Sequence, residues 1–436
     1  MNPLPPVGLL DRDPPKRREL VSWMLFDFSN NAVPLVIVTA VYVLYFKGVV
    51  VGGDDPNRGD MLWGVAISLS AFVVALTAPF MGALADARRW RKRLLLLYTA
   101  VCVVGLFGLG MTGPGTILLA IVTLVVVNAS YEGGLIFYHS LLPSIARPEE
   151  MGRISGMGWA AGYIGGLIAL GISLPFALAG NIRVVIFIVA ASVALLCIPL
   201  FVFVRERAPA LGGGARAMLG NVAHAIRTVR SHRDLLFFFL AFFVYNDAIV
   251  TTFTFAAPFA TDSLGYTQVQ IIALIMGIQV TAATGAFTLG RLADRIGSAV
   301  TIRWALRLFV VSSLAAFLCA WPFAVWETRP ELRVAAFAVT GLSFGFMMGA
   351  TQAASRSFLA SVIPPERSGE FFGVYGLVGR FSAVLGPLAF GVISFLTGTQ
   401  VWSVAFVVLL FTLGLVLLGR VDEERLRAEL RGEGAA

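Results

Sequence analysis

The sequence predicts an all-α membrane protein in which twelve transmembrane helices form two pseudo-symmetric six-helix halves. Three observations carry this reading: an apolar composition, twelve apolar runs of spanning length, and short motifs that recur at matching places in each half. Of the 436 residues, 58% are apolar and 13% charged, against roughly 25% charged in a soluble domain. At about 20 residues per span, twelve spans with short connections use nearly the whole chain. A binding site therefore has to lie in or near the bilayer.

Along the chain, the first 19 residues are polar and Pro-rich. The apolar run that follows is too long for the core of a signal peptide, so it is expected to stay as an anchor. Runs with few charges lie at 20–46, 61–85, 94–112, 116–143, 154–178 and 183–204, then at 235–260, 267–292, 303–325, 333–361, 370–396 and 402–420. Each can cross a hydrocarbon core of about 30 Å at 1.5 Å per residue, and a helix satisfies its own backbone groups in lipid. The chain thus divides into an N-terminal tail (1–19), a first half (20–204), a polar central linker (205–234), a second half (235–420) and a C-terminal tail (421–436).

A net charge of +8 would suggest nucleic acid in a soluble protein, but here Lys and Arg gather at one set of span ends. With the N-terminus assigned to the cytoplasm, the opposite loops hold Lys47, Arg58, Arg183, Arg329 and Arg333, and the spans hold Arg307, Arg356 and Arg380. Every other basic residue falls on a cytoplasmic segment. The positive-inside rule thus predicts a multi-pass protein with both termini cytoplasmic, and the expected location is a bacterial inner membrane. Trp23, Trp63, Trp304, Trp321, Trp326 and Trp402 lie at span ends and are read as interfacial belts, not a ligand box. Cys102, Cys197 and Cys319 sit inside apolar runs as small hydrophobes, with no disulfide framework or metal cluster.

An internal repeat supports the division. GALADARRWRKR after span 2 is echoed by GRLADRIGSAVT after span 8, so Asp86 and Asp294 correspond. FSNNAV in span 1 matches VYNDAI in span 7, and SLLPSIARPEE after span 4 matches ASVIPPERSGE after span 10. Parallel halves with a site between them are a transporter arrangement.

The G-x-L-A-D loop with its following bases resembles the signature loop of the major facilitator superfamily. More narrowly, SWMLFDFSNNA, LIFYHSLLPSIA, RISGMGWAAGYIGG and QAASRSFLASVIPPERSGEFFGVYGLVGRFSAVLGP are similar to its vacuole effluxer branch. That branch comprises prokaryotic permeases of unassigned substrate and fungal vacuolar amino-acid exporters. The resemblance implies the major facilitator fold, with Asp86, Asp294 and Arg295 gating against the N-terminal ends of spans 11 and 5 in the opposite half. The first loop departs from the pattern, with Ala87 in place of the usual Arg and Arg89-Trp90 in place of the usual Gly. GYIGGLIALG in span 5 also lacks the proline of the antiporter signature.

Asp27, Asn30 and Asn31 share one helical face, with Asn30 roughly 15 Å into the membrane. Asn246 and Asp247 lie at the matching depth of span 7. Both clusters are read as substrate contacts, because ionisable residues within a membrane are functional by default. The alternative is polar glue between helices. Asp27 is also a candidate proton carrier, as is Glu132, which shares a face of span 4 with Asn128, Leu135 and His139. Glu132 has the alternative of an ion pair with Arg356 or Arg380. Arg380, roughly 15 Å inside span 11, is too deep to snorkel and needs an anion, either a protein carboxylate or the substrate's; the substrate is the favoured reading. Gln352 and Arg356 share a face of span 10, the first a candidate substrate contact and the second a candidate gate. Gly158, Gly162 and Gly166 form a close-packing series in span 5. His139 is read as a bystander and Arg307 as snorkelling to the surface.

Function classes can be separated on motifs. None of Lys16, Lys47 and Lys92 follows a Gly, so no phosphate-cradling loop exists and ATP-driven transport by this chain is excluded. With His139, His224 and His232 as its histidines and no H-E-x-x-H or G-x-S-x-G, the chain is expected to be no enzyme and to need no metal or cofactor. The expectation is secondary active transport of a small hydrophilic solute by alternating access, with an amino acid as the leading substrate and protons as the coupling ion. The expected partners are that solute, protons and the lipid bilayer, without nucleic acid, for a monomer. A lipid or lysolipid flippase, or a solute receptor on the same scaffold, is the alternative, and the polar midplane argues for the hydrophilic solute.

Overall fold

The computed structural model describes residues 17–52, 56–207, 215–321 and 329–432. Among them are 12 helices long and apolar enough to cross a membrane. The first six are Arg17–Val51, Pro56–Arg88, Arg91–Gly110, Ile117–Ser140, Met151–Leu178 and Ile182–Phe203. The second six are Arg233–Leu264, Gln268–Ile296, Ser298–Ala320, Pro330–Val362, Ser368–Thr397 and Val401–Leu418. They are called spans 1 to 12 in chain order. No strand occurs among the described residues, as expected where lipid leaves backbone groups no partner but their own helix. Large side chains such as Leu96, Val104 and Phe107 of span 3 stay exposed, making the lipid-facing surface.

Two shorter helices lie in segments that read as polar connections. The linker helix Ala215–Ser231 buries Ala225 and Val229 against spans 2, 7 and 11 and exposes Arg227 and Arg230. The C-terminal helix Glu423–Gly432 buries Leu426 and Leu430. Its Arg425 donates through Nε and Nη2, each at 2.8 Å, to the two carboxylate oxygens of Asp234 at the start of span 7. Its Glu423 accepts the Ala299 N–H at the start of span 9 at 2.8 Å. These helices mark one end of the bundle, called the basic face below.

The halves meet along two matching seams, span 2 against span 11 and span 8 against span 5. Each seam closes on glycines. A Cβ at Gly82 would fall on the carbonyl of Gly369, and one at Gly290 would lie 2.7 Å from that of Gly152. Gly82 and Gly290 open the two G-x-L-A-D motifs, so that glycine is the contact point where backbones of opposite halves touch.

Span 1 breaks the symmetry. It is α-helical over Arg17–Asn30, then π-helical over Val33–Ala40 and again over Phe46–Val51, whereas span 7 is α-helical throughout. The repeat puts Pro34 in span 1 opposite Val250 in span 7. A proline inside a helix removes a backbone donor and crowds the carbonyl four residues back, and a widened turn relieves the clash.

Candidate functional site

Asp27 and Arg356 meet across the two halves. Arg356 Nη1 lies 3.4 Å from Asp27 Oδ2, with both side chains nearly inaccessible. The guanidinium also donates through Nε to the Ser155 hydroxyl at 2.8 Å and through Nη2 to the Ser155 carbonyl at 2.5 Å. Its carbon sits 4.9 Å from the ring centroid of Trp23, 5.3 Å from that of Trp159 and 5.7 Å from that of Tyr138. Trp23 and Tyr138 stack at 4.6 Å and 11°. Gly158 is the residue that makes room, since a Cβ there would lie 2.6 Å from the Trp23 ring and 2.9 Å from Arg356 Nη2. Asn31 completes this cluster by donating to Asp27 Oδ1 at 3.4 Å, and it fills the space left by Gly162 of span 5. Asn30 is buried beside it.

The second cross-half pair joins Glu132 of span 4 to Arg380 of span 11. It is more open than the first, with side chains 14% and 29% exposed. In this conformation the anion facing Arg380 is thus a protein carboxylate, the alternative left open for both residues by the sequence. Gln352 stands one turn before Arg356 on span 10, half-buried.

Asn246 and Asp247 face span 11 within their own half. Asn246 Nδ2 donates to the Ser382 hydroxyl at 2.7 Å and to the Gly379 carbonyl at 3.3 Å. Asp247 Oδ1 accepts the Gly386 N–H at 2.8 Å. Gly386 precedes Pro387, which removes its own backbone donor and weakens the helical ladder at that turn. Asn31 of span 1 against span 5 and Asp247 of span 7 against span 11 are thus matching contacts within the two halves.

At the basic face, the two repeated aspartates cap helices of the opposite half. Asp86 accepts the N–H groups of Gly369 at 3.0 Å and Glu370 at 2.8 Å, at the start of span 11. Asp294 accepts those of Gly152 at 2.7 Å and Arg153 at 2.8 Å, at the start of span 5. A carboxylate placed on unsatisfied N–H groups at the positive end of a helix is favoured both by hydrogen bonding and by the dipole. Arg91 chelates Asp86 through Nε at 2.8 Å and Nη2 at 2.5 Å and reaches the Pro365 and Glu366 carbonyls beyond it. The departure of the first loop from the superfamily pattern thus leaves its geometry intact. Arg89 takes a φ of 55°, where Gly297 at the matching place has 89°. Arg295 is exposed, and the contacts to Asp294 come from span 5.

The aromatic residues correct the sequence reading. Trp23, read as an interfacial belt, is fully buried against the site. Its distance from the span end is that of an interface residue, but its face of the helix turns toward span 4. Trp304 and Trp402 are about half-exposed, as belts are, and Trp326 lies outside the described residues. His139, read as a bystander, is half-buried among Tyr138, Trp159 and Phe372. Arg307, read as snorkelling, is exposed over the Trp304 ring. Ser155, Tyr138 and Trp159 were missed. The available signal was spacing: Trp23 precedes Asp27, and Ser155 precedes Trp159, by four residues, which puts each pair on one helical face.

Comparison with known proteins adds a context to this geometry. The model of a family described as Vacuole effluxer Atg22 like matches residues 63–431. The chain is 26% identical over 420 residues to a Bacillus subtilis protein named as an uncharacterized MFS-type transporter, YxiO, covering 92% of this chain and 94% of that one. It is 27% identical over 326 residues to autophagy-related protein 22-1 of Aspergillus fumigatus, covering 65% of this chain and 51% of the fungal one. Among solved structures, the human organic anion transporter MFSD10 superposes with a TM-score of 0.74 at 16% identity, over 93% of this chain and all of that one. The proton:xylose symporter XylE does so with a TM-score of 0.68 at 13% identity, over 95% of this chain and 98% of its own. At these identities the structural likeness speaks to the fold alone.

Proposed function

The chain belongs to the vacuole effluxer Atg22 like family and has the major facilitator fold of a multi-pass membrane transporter, and from that premise we propose that it carries a small zwitterion, such as an amino acid, by proton-coupled alternating access. The observation that carries this reading is the charge between the halves, where Asp27 and Glu132 of the first half face Arg356 and Arg380 of the second. A substrate carboxylate competes with Glu132 for Arg380 as a charge-assisted pair. A proton on Glu132 releases Arg380 to that carboxylate, which ties solute binding to proton binding. The name of the fungal relative, which concerns autophagy, says nothing of substrate, so support for an amino acid rests on this charge pattern and on the vacuolar exporters that the sequence resembles.

The basic face is the cytoplasmic one by the positive-inside rule, and both termini lie there. Asp86 and Asp294 are the latches that hold that side shut, each binding the first turn of a helix in the other half. The test is transport in proteoliposomes with an imposed pH gradient. The parent protein is expected to move amino acids at a rate that follows the gradient, and Arg380→Gln to lower that rate at least tenfold. Uptake that ignores the gradient removes the proton, and no movement of any amino acid removes the substrate class.

A further inference from the structure

Among the described residues, the hydrogen-bond, ion-pair and cation–ring partners of the Arg356 guanidinium belong to the first half. Trp23 and Asp27 come from span 1, Tyr138 from span 4, and Ser155 and Trp159 from span 5. The guanidinium alone comes from span 10 of the second half, and it enters this pocket as a bound cation would. Three aromatic faces, a carboxylate, a carbonyl and a hydroxyl are the chemistry that recognises an organic cation. The other cross-half pair, Glu132 with Arg380, is more exposed.

This arrangement has a consequence under alternating access. When the halves part at the cytoplasmic side, span 10 draws Arg356 out and leaves Asp27 among aromatic rings without its partner. A buried carboxylate stripped of its cation is strongly unfavourable unless it takes a proton, so the site favours another positive charge in place of Arg356. We infer that the vacated cage takes the ammonium or guanidinium group of the substrate from the cytoplasmic side, and that Arg356 is a built-in competitor which displaces it when that side closes. This deepens the zwitterion reading and rests on its alternating access. It assigns the positive end of the substrate to Asp27, Trp23, Tyr138 and Trp159, leaves the negative end to Arg380, and makes closure of the cytoplasmic side the step that drives the substrate outward.

The experiment empties the cage and offers it a cation. Full-length Arg356→Ala, purified in detergent, is expected to bind methylammonium or guanidinium saturably in equilibrium dialysis, at least tenfold more tightly than the parent, in which Arg356 competes. Binding should weaken at least tenfold when Asp27→Asn or Trp159→Leu is added, and Arg356→Lys should bind neither probe because its own ammonium refills the site. If Arg356→Ala does not fold, Arg356→Gln serves, with its thermal stability recovered by millimolar guanidinium and unmoved by sodium. Absence of saturable binding or of that recovery, or binding indifferent to Asp27→Asn, overturns the proposal. Transport separates the two readings. Amine binding without amino-acid transport discards the amino acid and keeps the cage, whereas amino acids carried as well with an acetylated as with a free amine discard the cage and keep the transport.

Discussion

Asp27 and Arg356 are 329 residues apart in sequence and share one buried contact, so each leaves the other stranded when it is replaced. Breaking such a pair from one side costs about 3–5 kcal/mol, because the remaining charge keeps its burial and loses its partner. Asp27→Asn and Arg356→Gln are each expected to lower stability on that scale. The double variant should be less destabilised than the two singles added together, by about 1–3 kcal/mol of coupling. Denaturation midpoints of the four proteins in one detergent check this, and strict additivity would show that the charges do not act as a pair. The separate residues were legible, since intramembrane charges are rare and stand out. Their pairing was not, because helical period says which face a side chain takes but not which of eleven other spans lies opposite. Trp23 illustrates the same limit: depth along the chain suggested an interface, and only the packing of span 1 on span 4 puts the indole inside.

Spans 1, 7 and 11 show how a single proline shapes an element. Pro387 interrupts span 11 beside the Gly386 N–H that Asp247 accepts, and Pro34 widens the outer part of span 1. Asp247 therefore acts on span 11 first as a hydrogen-bond acceptor, a role that an amide oxygen can also fill. Asp247→Asn is expected to retain most of the stability, while Asp247→Ala leaves a buried N–H unmade at a cost of about 1–3 kcal/mol. Thermal unfolding followed by tryptophan fluorescence distinguishes the two, and equal losses would mean that the charge itself matters to the fold. The twelve apolar runs were legible from composition and length, and so was the correspondence of the two polar clusters. The linker and C-terminal helices were not, because the few buried residues of each, Ala225 and Val229 or Leu426 and Leu430, are diluted by charges that face water.

At the scale of the whole molecule, the two proposed latches bear on one equilibrium. Asp86 and Asp294 each hold two N–H groups across a seam, and a hydrogen bond to a charged group is worth about 1.5–3 kcal/mol. An amide in place of the carboxylate keeps an acceptor but loses the charge, so Asp86→Asn and Asp294→Asn should each shift the population toward the cytoplasm-open form by roughly tenfold, or about 1.4 kcal/mol. Because the two latches share no partner, their effects should add in the double variant. Spin-label distances between the halves measure the shift, and an unchanged distribution in either variant removes that aspartate from gating. The repeated motif made the correspondence of these two aspartates legible, and the glycines that bring the backbones of the two halves together explain why the motif begins as it does. The cross-half ion pairs carry a different implication, for biogenesis. Both acids stand in the first half and both bases in the second, so the halves are oppositely charged templates for one another, and two first halves would bring carboxylates face to face. Severed within the linker and produced as separate polypeptides, the halves should reassemble with their proper mates, and affinity capture of a tagged first half should recover second halves and exclude untagged first halves.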